Sequence, residues 1–572
     1  MVNTPPALPE FIAAARAAVR AGNPLGARDL LDNAVSFEHA PREAQYLYLL
    51  ALANAGSTAL ALQRYEAMSL SATERTEDWL ALHGRLLKDL AFASEHRDIT
   101  LLRRSAAAYE EAYMASGGYF SAINAASMWR LAGDAERSAR LAQTVLHIIR
   151  SRVAETEREQ YYLLVTEAEA LLLLGEESAA RNCLQCADGL IPGELGARAS
   201  TMQQLRRLCR DIKADATLLG ELRLPDVYFV QRGSEPAAGN TVAIPVGAVV
   251  HCALVDESDL RVLETLLDAG AQVHVALSDD VAVLERRWAA LGAPASAQRM
   301  HSVLQRCRSR AVSRGLPSEE QAWRRYQADE LALGLSLLDA YRLSDSWQLV
   351  RAGVDAEGRV AMVAGTNVAN ARESSQAILD AAGFQLEPPR AATPGRRLVG
   401  LIFADFAGFR RLDDNEMQRF WSEVIAGVGE RLASYRSKLL LGKTWGDALH
   451  LVTADAASAA MIAVDIQQFI EARRQLPSAL ADLELRVAVH YAPALSTSDP
   501  ISRGEAFIGS QLTFTARIEP VTPPGMVYVT EAFAARLALE APRRFAIEYA
   551  GEIELAKGHG RFRLYSLRRR RL

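Results

Sequence analysis

Two short stretches carry the residues best suited to chemistry. In "LIFADFAGFRRL" Asp405 interrupts an apolar run, and in "SKLLLGKTWGDALHLVTA" Asp447 follows a glycine between two runs of strand-forming residues. A carboxylate in apolar surroundings is costly unless something pairs with it. "RLVGLIFADFAGF" is predicted to be a strand that ends near Asp405 and turns through Gly408. "SKLLLGKTW" and "ALHLVTA" read as two strands whose "GD" junction makes a tight hairpin with Asp447 at its tip. If the first strand lies beside that hairpin the two carboxylates project side by side. So placed, they would not both ionise without a cation between them. Magnesium is the expected ion, because it takes oxygen ligands and is commonly shared between one or two carboxylates and substrate phosphates.

The elements around these acids follow from local signals. "GKT" invites a reading as a phosphate-binding loop of the Walker type, but Ser437 stands where that motif needs glycine, and strand-forming residues follow the lysine instead of a helix. A helix is predicted from about Asn415 to Ser434, capped by Asp413 or Asp414. Upstream, "LEPPRAATPGRR" is a linker at 386–397, its prolines favouring extended chain, so a new domain is expected over 398–572.

This C-terminal segment resembles the class III nucleotide cyclase catalytic domain, the family of adenylate and guanylate cyclases, with an α+β, ferredoxin-like fold. Five motifs occur in family order: "FADFAGF", "KTWGD", "LRVAVH", "GSQLTFTARIEPVTPPGMVYVTE" and "ELAKGHGRFRLYSL". The resemblance implies that Asp405 and Asp447 are metal ligands and that the backbone of Phe406, Ala407, Gly408 and Phe409 cradles phosphate. It further implies that Lys443 contacts the purine, Arg486 meets the triphosphate, Arg517 stabilises the transition state and Lys557 contacts phosphate. Two Mg2+ or Mn2+ ions per site are implied, as is a homodimer in which one chain supplies the aspartates and its partner the base-reading lysine and final arginine.

The expected activity is conversion of a nucleoside triphosphate, ATP by the identity of Lys443, to a 3′,5′-cyclic nucleotide and pyrophosphate. Two positions depart from the family pattern. Thr513 stands where asparagine usually orients the ribose, and Ala506 stands where many adenylate cyclases place a base-reading aspartate, with Glu505 beside it expected to point elsewhere. The competing reading is a cyclase fold without activity, serving as a dimerising signalling scaffold.

Upstream the chain changes character twice. Residues 1–215 are helical throughout, and "AGNPLGARDLL", "AGSTALALQRY", "AGDAERSARLA" and "LGEESAARNCL" resemble one another. Each places a helix-ending glycine (Gly22, Gly56, Gly133, Gly175) five residues before a small one (Ala27, Ala61, Ser138, Ala180). Gly22 to Gly56 matches the ~34-residue tetratricopeptide period. "SGGYFSAINAASMWRLAGD" resembles the repeat region of the apoptosis signal-regulating kinases. An all-α repeat solenoid is expected, with a concave surface for a protein or peptide partner.

Residues 222–385 alternate strand and helix. "GAVVHCALV", "SDLRVLETLLDA" closed by Gly270, and "AQVHVALS" form a βαβ unit resembling the degenerate Rossmann-like domains of bacterial signalling proteins. Its first turn, "VDESD", has three acids and no glycine, which argues against a bound nucleotide phosphate. His251 and His274 lie on the two apolar strands and read as packed core residues. Across the whole chain of 572 residues, half are apolar and the formal charge is −5, giving no reason to expect nucleic acid or an anionic membrane. No apolar run is long enough to cross a bilayer, the N-terminus lacks signal-peptide regions, and the "LRRRRL" tail alone is no stable anchor, so a cytoplasmic protein is expected. The five cysteines do not form a disulfide framework, and Cys183 and Cys186 read as two buried small side chains on a helix.

Overall fold

The computed structural model describes residues 8–20, 27–28, 30–31, 35, 37–54, 58–71, 73–93, 98–191, 195–233, 241–291, 294–312, 321–343, 346–369, 371, 375–388, 395–473, 480, 483–501 and 503–570. Two compact units emerge, one up to Pro225 and one over Asp226–Arg570. No described helix is long and apolar enough to cross a membrane.

The first unit is helical. Where the repeat glycines are described they end helices in the left-handed conformation, Gly133 at φ 93° and Gly175 at φ 82°. Asp134 and Thr156 then cap the helices Ala135–Arg150 and Glu157–Leu173. Gly22 and Gly56 lie outside the described residues. The four small partners Ala27, Ala61, Ser138 and Ala180 are fully buried, which is what lets each second helix sit close against the first. One expectation is corrected here. On helix Glu177–Ala187 the inward face is Ala180, Leu184 and Ala187, which leaves Cys183 half-buried and Cys186 exposed.

The second unit holds two sheets. The first comprises β1 (Val227–Arg232), β2 (Val249–Leu254), β3 (Gln272–Leu277), β4 (Ser309–Val312), β5 (Trp347–Val354) and β6 (Val360–Val368) in the order β4-β3-β2-β1-β5-β6. All pairs are parallel except β5 with β6. Every residue of β2 is buried because both faces are covered. Val250, Cys252 and Leu254 pack with Leu260 and Leu263 of helix Glu257–Asp268, while Ala253 and Val255 meet Ala328 of helix Gln321–Arg342. The acids of "VDESD" turn out to be occupied: Asp256 and Asp259 cap the helix reciprocally and pair with both Arg232 and Arg325.

The second sheet has eight strands: β7 (Arg396–Ala407), β8 (Leu439–Trp445), β9 (Ala448–Thr453), β10 (Glu484–Ser498), β11 (Glu505–Ile508), β12 (Val527–Thr530), β13 (Phe545–Glu554) and β14 (Arg561–Arg569). Its order is β13-β14-β12-β10-β7-β9-β8, with β11 paired to β10. Within it β7, β8, β9 and β10 are the four strands of a ferredoxin-like βαββαβ core, each antiparallel to its neighbours within that core. The two crossover helical segments cover one face: Phe420 packs edge-on against Phe406, and Ala459 of helix Ala456–Arg473 lies over Gly400. The helix expected from about 415 to 434 runs Asp414–Ala433 but contains a π-helical turn at Phe420–Ile425, which buries Phe420 completely beneath β7.

The sheets are joined through two helices. Gln321–Arg342 of the first packs on Glu531–Glu540 of the second, with Gly334 so close to Ala535 that an added Cβ would overlap the carbonyl group. Around this contact Arg536 reaches Glu330 at 3.1 Å, the Tyr326 hydroxyl at 3.0 Å and Glu540 at 2.5 Å. On an exposed helix Gly→Ala stabilises by about 0.5–1 kcal/mol. Here the overlap reverses the sign, and we expect Gly334→Ala to lower stability by about 1–3 kcal/mol, read as a lower denaturant midpoint with unchanged slope. A midpoint at or above the parent's would mean that the helices do not touch there.

Candidate active site

The site forms where β7 ends beside the β8–β9 hairpin. Register places Asp405 opposite Ala448 on one side and Arg486 on the other, so Asp405 and Arg486 share a sheet face. Asp447 immediately precedes Ala448 in the two-residue turn, where Gly446 takes φ 63°. The two carboxyls consequently lie within hydrogen-bonding reach of each other. Burial raises the Asp405 pKa, the Asp447 charge raises it further, and Arg486 and Arg410 partly offset both.

Glu519 is a third acid that its motif did not single out. It follows helix Ser510–Ile518, and burial together with Asp405 and Asp447 pushes it up to about 7, against the pull of Arg486. Its Oε1 is buried without a hydrogen-bond partner, as are Nε of Arg486 and Nε of Arg517. A sequence signal existed: an acid at a helix C-terminus opposes the helix dipole, so something else must account for it.

The remaining candidates have definite places. Ala407 ends β7, Gly408 turns the chain at φ 96°, and Phe409 opens a 3-10 turn. Phe406 and Phe409 both pack on Phe420, so their side chains anchor the loop while its backbone stays at the mouth of the site. Lys443 shares the face of Asp405, since it pairs with His450, which pairs with Phe403. Its ammonium lies 3.7 Å from Asp499, and its charge joins burial in pushing the His450 imidazole down to about 4. Thr513 is exposed on helix Ser510–Ile518 with Arg517 one turn further on. Lys557 is exposed at φ 64° in the β13–β14 turn. Ala506 sits on β11, and the neighbouring Glu505 turns away to Arg397 and Ser496.

One chain thus brings Asp405, Asp447, Arg486 and Glu519 together. Among the described residues, Lys443, Thr513, Arg517 and Lys557 make no hydrogen bond or ion pair to either aspartate. A cluster of oxygen donors, two of them costly to ionise and one of these left without a partner, suits a hard divalent cation, and Asp405, Asp447 and Glu519 are the groups able to hold it.

Comparison with known proteins adds the following. Residues 23–129 match a family described as Tetratricopeptide Repeats-Sensor. No curated protein matches the chain in sequence. Among solved structures, the chain is similar to the guanylate cyclase domain of RhGC from Catenaria anguillulae in complex with GTP, at 18% identity, covering 30% of this chain and 97% of that one with a TM-score of 0.26. It is similar to adenylate cyclases from Trypanosoma brucei at 20% identity over 31% of this chain and 90% of that one, TM-score 0.26. The adenylyl cyclase CyaB from P. aeruginosa is similar at 14% identity over 30% and 94%, TM-score 0.26.

The acid cluster has a consequence for stability. Without metal, the folded chain keeps a proton on Glu519 up to about 7 while the unfolded chain releases it near the ordinary 4.5. The folded state then binds more protons across that window, so stability falls as pH rises through it. We expect Glu519→Gln to flatten the decline in melting temperature between about pH 4.5 and 7. Mg2+ should raise the parent's melting temperature more above that window than below it. Equal slopes for variant and parent would remove Glu519 from the cluster.

Proposed function

We propose that the chain is a nucleotide cyclase acting on ATP, completed by pairing of two copies. The observation that carries this reading is the adjoining Asp405 and Asp447 carboxyls beside Arg486. Two Mg2+ or Mn2+ ions held there would supply Lewis-acid activation of a ribose 3′-hydroxyl and charge neutralisation on phosphate. The chain's own residues do the rest. Gly408 lets the backbone of 406–409 approach phosphate closely. Arg486 faces the triphosphate from β10, and its unpartnered Nε leaves a donor for an anion. Lys443 offers the purine edge a donor, which is the basis for naming ATP, and Asp499 beside it offers an acceptor.

Among the described residues, Thr513, Arg517 and Lys443 make no hydrogen bond or ion pair to the aspartates of their own chain, which is compatible with a site closed by a second copy. Thr513, shorter than asparagine, would meet the ribose through its hydroxyl or a water. Arg517 and Lys557 would neutralise charge building on the phosphate oxygens as pyrophosphate leaves. The helical repeats are the natural place for a protein or peptide partner that controls pairing.

Incubation of the purified chain with each nucleoside triphosphate and Mg2+ or Mn2+ should yield cyclic product and pyrophosphate, with ATP preferred. Asp405→Ala and Asp447→Ala should each lower the rate at least ~100-fold, the scale on which catalytic electrostatics operates. Arg517→Ala mixed with Asp405→Ala should recover part of the activity by forming one intact site. A parent chain that makes no cyclic product with any nucleotide would leave the fold as a dimerising scaffold.

A further inference from the structure

A second cluster of metal-binding side chains lies in the first sheet, and the proposed cyclase chemistry makes no use of it. His251 of β2 and His274 of β3 are cross-strand partners, their rings stacked at 4.8 Å and 16°. Asp339, three residues beyond Ser336 on helix Gln321–Arg342, closes over them, with Oδ2 at 3.0 Å from His251 Nε2. One donor atom from each of the three residues falls within 4.8 Å of the others.

Three features go beyond a packed core. His251 is buried, but His274 and Asp339 are only half-buried, so the cluster has an edge from which an ion can enter. His274 Nδ1 lies 2.7 Å from the Ser309 hydroxyl. A hydroxyl contact of this kind is the outer-shell arrangement that orients ligating histidines. Finally, Glu531, paired with Arg563 at 3.0 Å, is near enough to interact electrostatically with His251.

We propose that His251, His274 and Asp339 form a binding site for a Zn2+-class ion that ties helix Gln321–Arg342 to the first sheet. Two imidazoles and one carboxylate are a borderline nitrogen and oxygen set, suited to zinc and poorly suited to magnesium. Tetrahedral zinc places its donors roughly 3.3 Å apart, so binding draws the three side chains inward from their present spacing. Three protein ligands leave a fourth position for water. The tie matters because the same helix carries Gly334 and Glu330, which seat helix Glu531–Glu540 of the second sheet. An ion at Asp339 therefore holds the element on which that contact depends. The inference is independent of nucleotide cyclisation.

The full chain, stripped with a chelator and kept in excess Mg2+, is titrated with Zn2+ by calorimetry and with Co2+ by visible absorption. The expected result is stoichiometric uptake with the intense d–d bands of a tetrahedral site, and a rise in melting temperature with Zn2+. His274→Ala and Asp339→Asn should each weaken uptake at least ~100-fold, and Ser309→Ala roughly 10-fold through the lost outer-shell contact. Asp405→Ala/Asp447→Ala should bind as the parent does, which separates this site from the acid pair. Far-UV circular dichroism shows whether each variant is folded, and Ser309→Ala tests the site without removing a ligand. Zinc uptake by the parent no greater than by folded His274→Ala, or Co2+ bands absent from the parent, overturns the proposal.

Discussion

The repulsion between Asp405 and Asp447 is the constraint around which the second sheet is arranged. Two carboxyls brought together at the edge of an apolar layer raise the free energy of their own fold. The strand register nevertheless holds them there, with Arg486 on the neighbouring strand as a partial counter-charge. That register is itself secured by apolar packing beneath: Phe406 against Phe420 on the helix-covered face, and Gly400 pressed against Ala459. The helices fix β7 from one side and leave Asp405, Lys443 and Phe403 half-exposed on the other. A cation bound between the carboxylates would resolve the repulsion.

The junction between the sheets follows a related logic. Arg536, Glu330, Glu540 and Tyr326 are buried together, a costly arrangement whose members must all be present because removing one strands the others. Helices so joined adjust as a unit. Helix Glu531–Glu540 begins where β12 ends, and β12 pairs with β10, the strand of Arg486. A shift of the long helix in the first sheet thus has a packed route toward the site, although which positions it favours depends on groups outside these contacts.

Much of this was legible in local pattern. Strand alternation, "GD" at the hairpin tip, the Asp413 cap and the repeat glycines all report backbone geometry that one or two residues decide, and the described elements fall where those signals put them. The misses share a cause. Cys186 is exposed because the buried stripe of its helix runs through Ala180, Leu184 and Ala187, a choice made by what packs against the helix. The π-helical turn at Phe420 is set by the depth of the pocket under Phe406. The positive partners of the "VDESD" acids, Arg232 and Arg325, were likewise not foreseen, because they are distant in sequence and invisible to a local reading. Asp499 beside Lys443 was missed in the same way.

The amino-acid order alone therefore determined the kinds of element, their sequence along the chain and the two acids that a cation would suit, because each rests on periodicity, turn chemistry or the cost of a charge in an apolar run. Tertiary structure decided which charges meet. Glu519 joins the aspartates, Arg486 opposes them, and His251, His274 and Asp339 converge although strand, strand and helix supply one each. Contacts of that kind depend on register and on the packing of whole layers, and electrostatic energies fall off over a few ångströms, so no spacing along the chain could have specified them.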